Sequence, residues 1–209
     1  MNTQTLKILT SSVHWKNTSE FPNGLMDQYD LCFLQQVPYS IAYSQLTDHH
    51  QWIDNGDNIG LCIISKNTTM VDKQHHYHCE VYKFDCSTDD NTKHWHAYNI
   101  DGLKLVNCLP FDMIDESAER MQKSISELLR VCGTSTDIVL IGDFRNGISD
   151  RSHGRSLSYR GFTNHIVDSD YTKVITRTDS TIKISNVIQD EGIITFNLTR
   201  NYGKKQDSS

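Results

Sequence analysis

Apolar residues along this chain fall in short, closely spaced runs rather than in one long helical stripe. Residues 6–13 (LKILTSSV), 29–37 (YDLCFLQQV), 59–65 (IGLCIIS) and 137–142 (DIVLIG) are each predicted to be strands. The run over 29–37 is nearly continuous, as is that over 137–142, which is the pattern of a strand covered on both faces. Residues 79–84 and 94–100 alternate apolar with polar positions and read as half-buried antiparallel strands. Asp101-Gly102 is a tight-turn signal leading into 103–108, so 94–100 and 103–108 are expected to form a hairpin. Further strands are expected over 174–176, 182–187 and 193–196.

Helical periodicity is clearest at Ala118, Met121, Ile125, Leu128, Leu129 and Cys132, which share one face. Asp115 and Glu116 lie near the start of that segment, where the helix dipole favours negative charge. Arg130 lies near its end, and Gly133 supplies a stop. A shorter helix is expected over 38–46. Many strands with a few interleaved helices give an α+β fold, sheets packed face to face with helices outside. No repeat, linker or low-complexity tract divides the chain. The expectation is one domain over 1–203 and a loose polar tail over 204–209.

Composition narrows the functional classes. The 209 residues are 37% hydrophobic, enough for one domain with a sizeable core. A net charge of −6 disfavours an extensive electrostatic grip on nucleic acid. No apolar run approaches the ~18 residues of a membrane span, and the first residues lack a basic stretch followed by an apolar one. The expectation is an intracellular protein, cytoplasmic or nuclear, with no membrane association. Cys32, Cys62, Cys79, Cys86, Cys108 and Cys132 are scattered without a C-x-x-C pair and read as reduced thiols filling core space.

Histidines cluster at His75, His76, His78, His94 and His96, beside Cys79. If the strands bearing them are neighbours, two pairs could approach a tetrahedral metal site. The plainer reading is a wet strand face, because the spacing matches no metal motif. No G-x-S-x-G signature marks a serine hydrolase.

Five segments, in order, resemble the endonuclease/exonuclease/phosphatase superfamily, the fold of DNase I. They are Leu6-Lys-Ile-Leu-Thr-Ser-Ser-Val, Asp30-Leu-Cys-Phe-Leu-Gln-Gln-Val, Asp137-Ile-Val-Leu-Ile-Gly-Asp-Phe-Arg-Asn, Arg177-Thr-Asp179 with Ile182-Lys-Ile-Ser, and Thr199-Arg-Asn-Tyr-Gly. The family's counterparts are T-W-N-[VI], D-[IV]-[LI]-x-L-Q-E-V, G-D-[FT]-N, R-[IF]-D-x-I-[FL] and S-D-H-[YW]-G. Ser117-Ala-Glu-Arg-Met and Gly161-Phe-Thr-Asn-His-Ile-Val-Asp look like the 5′-tyrosyl-DNA phosphodiesterase branch. The resemblance spans residues 6–203 and implies a four-layer α/β/β/α sandwich of two packed mixed sheets.

It also implies Mg²⁺-dependent phosphodiester hydrolysis, which requires hard oxygen ligands, a base for the attacking water and donors for the phosphoryl oxygens. The matched positions depart from that requirement. Gln36 stands where the metal-binding Glu is expected, and Ser12 where the Asn of the first motif is expected. Asp143 is retained. Arg145 replaces the following Asn, although Asn146 comes next. Val106-Asn-Cys-Leu-Pro runs through the point where a mid-chain His is expected. On this alignment Arg200 and Asn201 replace the terminal Asp-His pair, and neither is a base at physiological pH.

These departures imply a pseudoenzyme acting as a binding or regulatory module. Asp143 is then the one surviving catalytic side chain, and Ser12, Gln36, Arg145 and Asn201 are degenerate equivalents. No cofactor is expected, and Gln36 is at most a weak metal ligand; Mg²⁺ enters only with residual activity. Arg145 and Arg200 are expected to converge near Asp143 and offer an anion site, so a phosphate-bearing ligand is one candidate partner and a protein another. His165 and His14 are the remaining candidates for a displaced base. Residual phosphodiesterase activity and a protein-interaction scaffold stay open as alternatives.

Overall fold

The computed structural model describes residues 3–12, 27–45, 50–54, 58–65, 71–72, 77–85, 92–100, 102–108, 137–144, 161–166, 172–190 and 192–201. Within them, thirteen strands and one helix follow each other: β1 (Thr3–Ser11), β2 (Leu31–Pro38), α1 (Tyr39–Gln45), β3 (His50–Asp54), β4 (Ile59–Ser65), β5 (Val71–Asp72), β6 (Tyr77–Asp85), β7 (Thr92–Ile100), β8 (Leu103–Cys108), β9 (Ile138–Asp143), β10 (Phe162–Asn164), β11 (Thr172–Arg177), β12 (Ile182–Asp190) and β13 (Ile193–Asn201). The six-stranded sheet has the order β12-β13-β1-β2-β4-β3, and the seven-stranded sheet the order β10-β11-β9-β8-β7-β6-β5. Both are mixed: β1 and β2 are parallel, as are β8 and β9, and the other neighbours are antiparallel.

The sheets pack face to face on one apolar layer. Leu6 and Ile8 of β1, Leu31 and Phe33 of β2 and Phe196 and Leu198 of β13 meet Leu103 and Leu105 of β8, Val139 and Ile141 of β9 and Val174 of β11. These are alternate residues of each strand, so the two-residue period points one face of each inward. The central strands are covered on the other face as well. Leu9, Cys32, Leu34 and Cys62 lie outward, where Ile41 and Ala42 of α1 close over them. The continuous apolar runs of the sequence therefore mark strands buried on both sides.

Burying the middle of a sheet forces polar groups at its irregularities to find partners. The pairing of β2 with β4 shifts between Leu34 and Val37, which leaves Gln35 and Gln36 in a bulge. Asn107 of the opposite sheet fills the gap. Its amide donates to Leu34 O at 3.1 Å and to Cys62 O at 3.0 Å. The Asn107 carbonyl accepts from Gln35 Nε2 at 2.7 Å, and that nitrogen also lies 3.2 Å from Thr10 Oγ1. One buried asparagine thus ties both sheets together beside the bulge.

The expected strands are present, several of them longer than the sequence pattern indicated. The hairpin at Gly102 is also present, with the positive φ of 81° that a tight turn asks of glycine. The shorter helix is α1. The long helix expected around residues 118–132 and the tail over 204–209 lie outside the described residues. Strands β3, β5 and β10 were not expected. Among the described residues, no helix is long and apolar enough to cross a membrane.

Candidate functional site

The polar residues at the inner strand ends converge at one end of the sandwich. β1 and β2 run parallel, so Ser11 lies beside Leu34 and both strands leave the sheet at the same edge. β9 ends there too, because Thr172, at the start of β11, pairs with Asp143 at its end. Ser12 Oγ and Thr172 Oγ1 sit 3.1 Å apart and join the two sheets at this end, where the family resemblance puts the cleft. Gln36 and Asp143 lie at the same end, each only 3% exposed.

Local backbone fixes both side chains. Gln36 has a φ of +58°, a left-handed conformation that a residue with a side chain adopts at a cost, and the bulge holds it there. Asp143 follows Gly142. A side chain at Gly142 would bring a Cβ within 2.0 Å of Cys108 O, so only glycine lets β9 pass this close to β8 and deliver Asp143 to the cleft. Gln36 Nε2 donates to Asp143 Oδ2 at 2.9 Å. The other half of the amide, Gln36 Oε1, is buried and has no hydrogen-bond partner among the described residues.

This geometry bears directly on the metal that the sequence resemblance implies. A carboxylate accepts hydrogen bonds, so it is the –NH₂ end of Gln36 that faces Asp143. The donor hydrogens occupy the approach a cation would need, and the amide oxygen is turned away. For both residues to grip one ion the amide would have to flip and give up its bond to Asp143. Gln36 and Asp143 as arranged do not fit a divalent metal. Among the described residues, no group of three His, Cys, Asp or Glu side chains gathers elsewhere to hold one.

The structure does not bring Arg200 to Asp143 as expected. β13 runs antiparallel to β1, with Ile193 opposite Ser11 but Arg200 opposite Gln4. Arg200 and Asn201 therefore stand at the far end of the sandwich. Asn201 is exposed and accepts from Thr3 Oγ1 at 3.4 Å. The guanidinium of Arg200 is paired with Asp137, at the opposite end of β9 from Asp143. Six residues of extended strand separate those two aspartates by roughly 20 Å. The Arg200 side chain is thus directed to Asp137 rather than to Asp143, and Asn201 lies at that same far end. Arg145 and Asn146 lie outside the described residues.

What does reach the Ser12 end from these strands is the β12–β13 turn. Asp190 pairs with Ile193, which in turn pairs with Ser11. The sequence there, Asp190-Glu191-Gly192, is acidic and has no histidine. Arg177 and Asp179 are at the far end, where Arg177 lies over the Phe162 ring at 5.2 Å. His165 is half-buried with Nε2 2.7 Å from Thr176 Oγ1, four residues along β11 from Thr172, and burial lowers its pKa. It is directed away from the cleft. His14 lies outside the described residues. In the histidine cluster, β6 and β7 are neighbours, but the register sets His78 opposite Asn99, three positions from His96.

Thr10, Gln35, Asn107 and Thr172 were not singled out by sequence. Their signal was a polar residue at an inward position of an apolar strand, Thr10 after Leu6 and Ile8, and Asn107 after Leu103 and Leu105.

The order and packing of these two sheets match known structures over nearly the whole chain. An endonuclease/exonuclease/phosphatase family protein from Bacteroides thetaiotaomicron superposes with a TM-score of 0.62 at 10% identity, covering 96% of each chain. The fold is that of the endonuclease/exonuclease/phosphatase proteins. A humanized TDP2 of D. rerio gives a TM-score of 0.59 at 14% identity, over 95% of this chain and 99% of that one. ANGEL2, a 2′,3′-cyclic phosphatase solved with adenosine-2′,3′-vanadate, gives 0.62 at 8% identity, over 96% and 99%. No family model matches the sequence, and no curated protein matches it.

Proposed function

We propose that this chain is a non-hydrolytic module on the endonuclease/exonuclease/phosphatase fold, a pseudoenzyme that binds or regulates rather than cleaves. The observation that carries this reading is the hydrogen bond from the Gln36 amide to Asp143. The fold brings its retained aspartate to the cleft, but the partner is a neutral donor rather than a second carboxylate. Losing a metal ligand removes the charge that stabilises a phosphoryl transition state, and losing a general base costs about 10²–10⁴-fold on its own. Within the superfamily we place the chain beside the 5′-tyrosyl-DNA phosphodiesterases. The segments at 117–121 and 161–168 support this, together with the shared fold of D. rerio TDP2.

Among the described residues, the polar wall at this end is made of acceptors and hydroxyls: Asp143, Ser12 and Thr172. Such a wall suits a ligand or protein segment that brings hydrogen-bond donors better than it suits a phosphate. The competing reading is a phosphodiesterase of altered activity, and it draws on Asp143 and on Asp190 at the same end. Incubation with 5′-tyrosyl oligonucleotides and with nitrophenyl phosphodiesters, in Mg²⁺ or Mn²⁺, separates the two. No turnover above that of Asp143→Ala supports the module; metal-dependent cleavage that Asp143→Ala abolishes supports the enzyme.

A further inference from the structure

We infer that Gln36 is a one-residue cation excluder: its amide holds Asp143 in place of a divalent ion, and a carboxylate at this position converts the cleft into a divalent-cation site. The inference rests on the non-hydrolytic reading and specifies what enforces it.

The observations are local and mutually consistent. Gln36 is 3% exposed, so its amide cannot swing into solvent. Its backbone is pinned in the left-handed region by the β2 bulge, so the side chain leaves the strand in one direction. That direction ends 2.9 Å from Asp143 Oδ2. The amide hydrogens cover one carboxylate oxygen, and no described group satisfies the amide oxygen left on the far side. A buried acceptor without a partner costs free energy, typically 1–3 kcal/mol. A glutamate in its place would present two acceptor oxygens, which a cation could bind.

Replacing the amide by a carboxylate reverses the electrostatics without changing the shape. Two carboxyl groups at hydrogen-bond distance repel when both are ionised, so one takes up a proton or a cation enters between them. The –NH₂ that stood in the way is gone, and both residues then present oxygen. Gln36→Glu should therefore be less stable than wild type in chelator and regain stability with a divalent ion. A ligand that binds only the folded state, present at a hundredfold excess over its Kd, should raise Tm by roughly 5–10 °C in a chain of this size.

The test is thermal unfolding of the full chain with Mn²⁺ or with chelator, joined to calorimetric Mn²⁺ titration. Wild type should show no Mn²⁺-dependent shift. Gln36→Glu should show the shift, and Gln36→Glu with Asp143→Asn should lose it. Gln36→Asp, whose shorter carboxylate stands further from Asp143, carries the same expectation if Gln36→Glu does not fold. A folded carboxylate variant that ignores Mn²⁺ overturns the inference. So does a wild-type Mn²⁺ shift that Asp143→Asn removes; this outcome decides the question even if neither carboxylate variant folds. Wild type that binds Mn²⁺ at Asp143 yet cleaves nothing sinks this inference alone, whereas cleavage sinks the non-hydrolytic reading beneath it.

Discussion

Arg200 and Asp137 form an ion pair that closes the end of the sandwich opposite the cleft. The pair joins the two sheets: Arg200 comes from β13 of one, and Asp137 stands at the start of β9 of the other. Thr181 Oγ1 adds a hydrogen bond to Asp137 Oδ1 at 3.4 Å. Because the side chains are only 11% and 21% exposed, this pair is screened less than a surface one. Arg200→Met should lower stability by about 1–3 kcal/mol. It should leave ligand binding at Asp143 unchanged. Chemical denaturation read beside a binding isotherm checks both halves.

Asn107 should be the more sensitive position. Asn107→Leu removes the hydrogen bonds that Asn107 makes with Leu34 O, Cys62 O and Gln35 Nε2 between the sheets, and Gln35 Nε2 keeps Phe33 O and Thr10 Oγ1. Unpaired buried polar groups cost about 1–3 kcal/mol each, with partial relief through Thr10. The expected loss is about 2–4 kcal/mol in urea unfolding. The bulge carrying Gln36 should loosen with it, visible as faster amide exchange at Gln35 and Gln36.

Stability should also depend on His165. Burial lowers its pKa below the ordinary 6.5, so in that window the unfolded chain binds more protons than the folded one. Its contribution is complete above pH 6.5 and declines as pH falls through the lower folded pKa. Thermal melts from neutral to mildly acidic pH should show this decline, and His165→Gln should flatten it.

Cys32 provides a probe of native packing. Burial, reinforced by the nearby charges of Asp27 and Asp30, pushes its thiol up to about 12. The thiolate is the reactive form, so alkylation near pH 8 should bypass Cys32 in the folded chain. Peptide mapping should find it modified only as the protein unfolds, at a rate that tracks the opening of α1 from the outer face of β2.

Much of this architecture could be read from the residues. Continuous apolar runs identified β2, β4 and β9, and Gly102 identified the hairpin, because burial on both faces and left-handed turns constrain composition strongly. β3 escaped notice. Its HQWID sequence is an edge strand whose Trp52 works through Nε1 to Val37 O at 3.0 Å and an edge contact with Tyr39, neither of which shows as periodicity. β5 and β10 are too short to form a pattern.

The site was half legible. Gln36, Ser12 and Asp143 follow their strands to the cleft because each lies at a strand end that the motif itself defines. Arg200 and Asn201 do not, since matching residue types along a strand says nothing about which end faces the cleft. Only the antiparallel register of β13 against β1 decides that, and it puts the Asp190 turn at the cleft instead. The hydrogen bond between Gln36 and Asp143 spans 107 residues of sequence and depends on a bulge no pattern announced.

The Gln36 amide itself gives the most direct reading of the central claim. In ¹⁵N-resolved spectra its –NH₂ protons should exchange slowly with solvent, lose that protection in Asp143→Ala, and stay sharp when Mn²⁺ is added at millimolar concentration. An amide that exchanges as freely as a surface glutamine, or that broadens on stoichiometric Mn²⁺, would contradict the account.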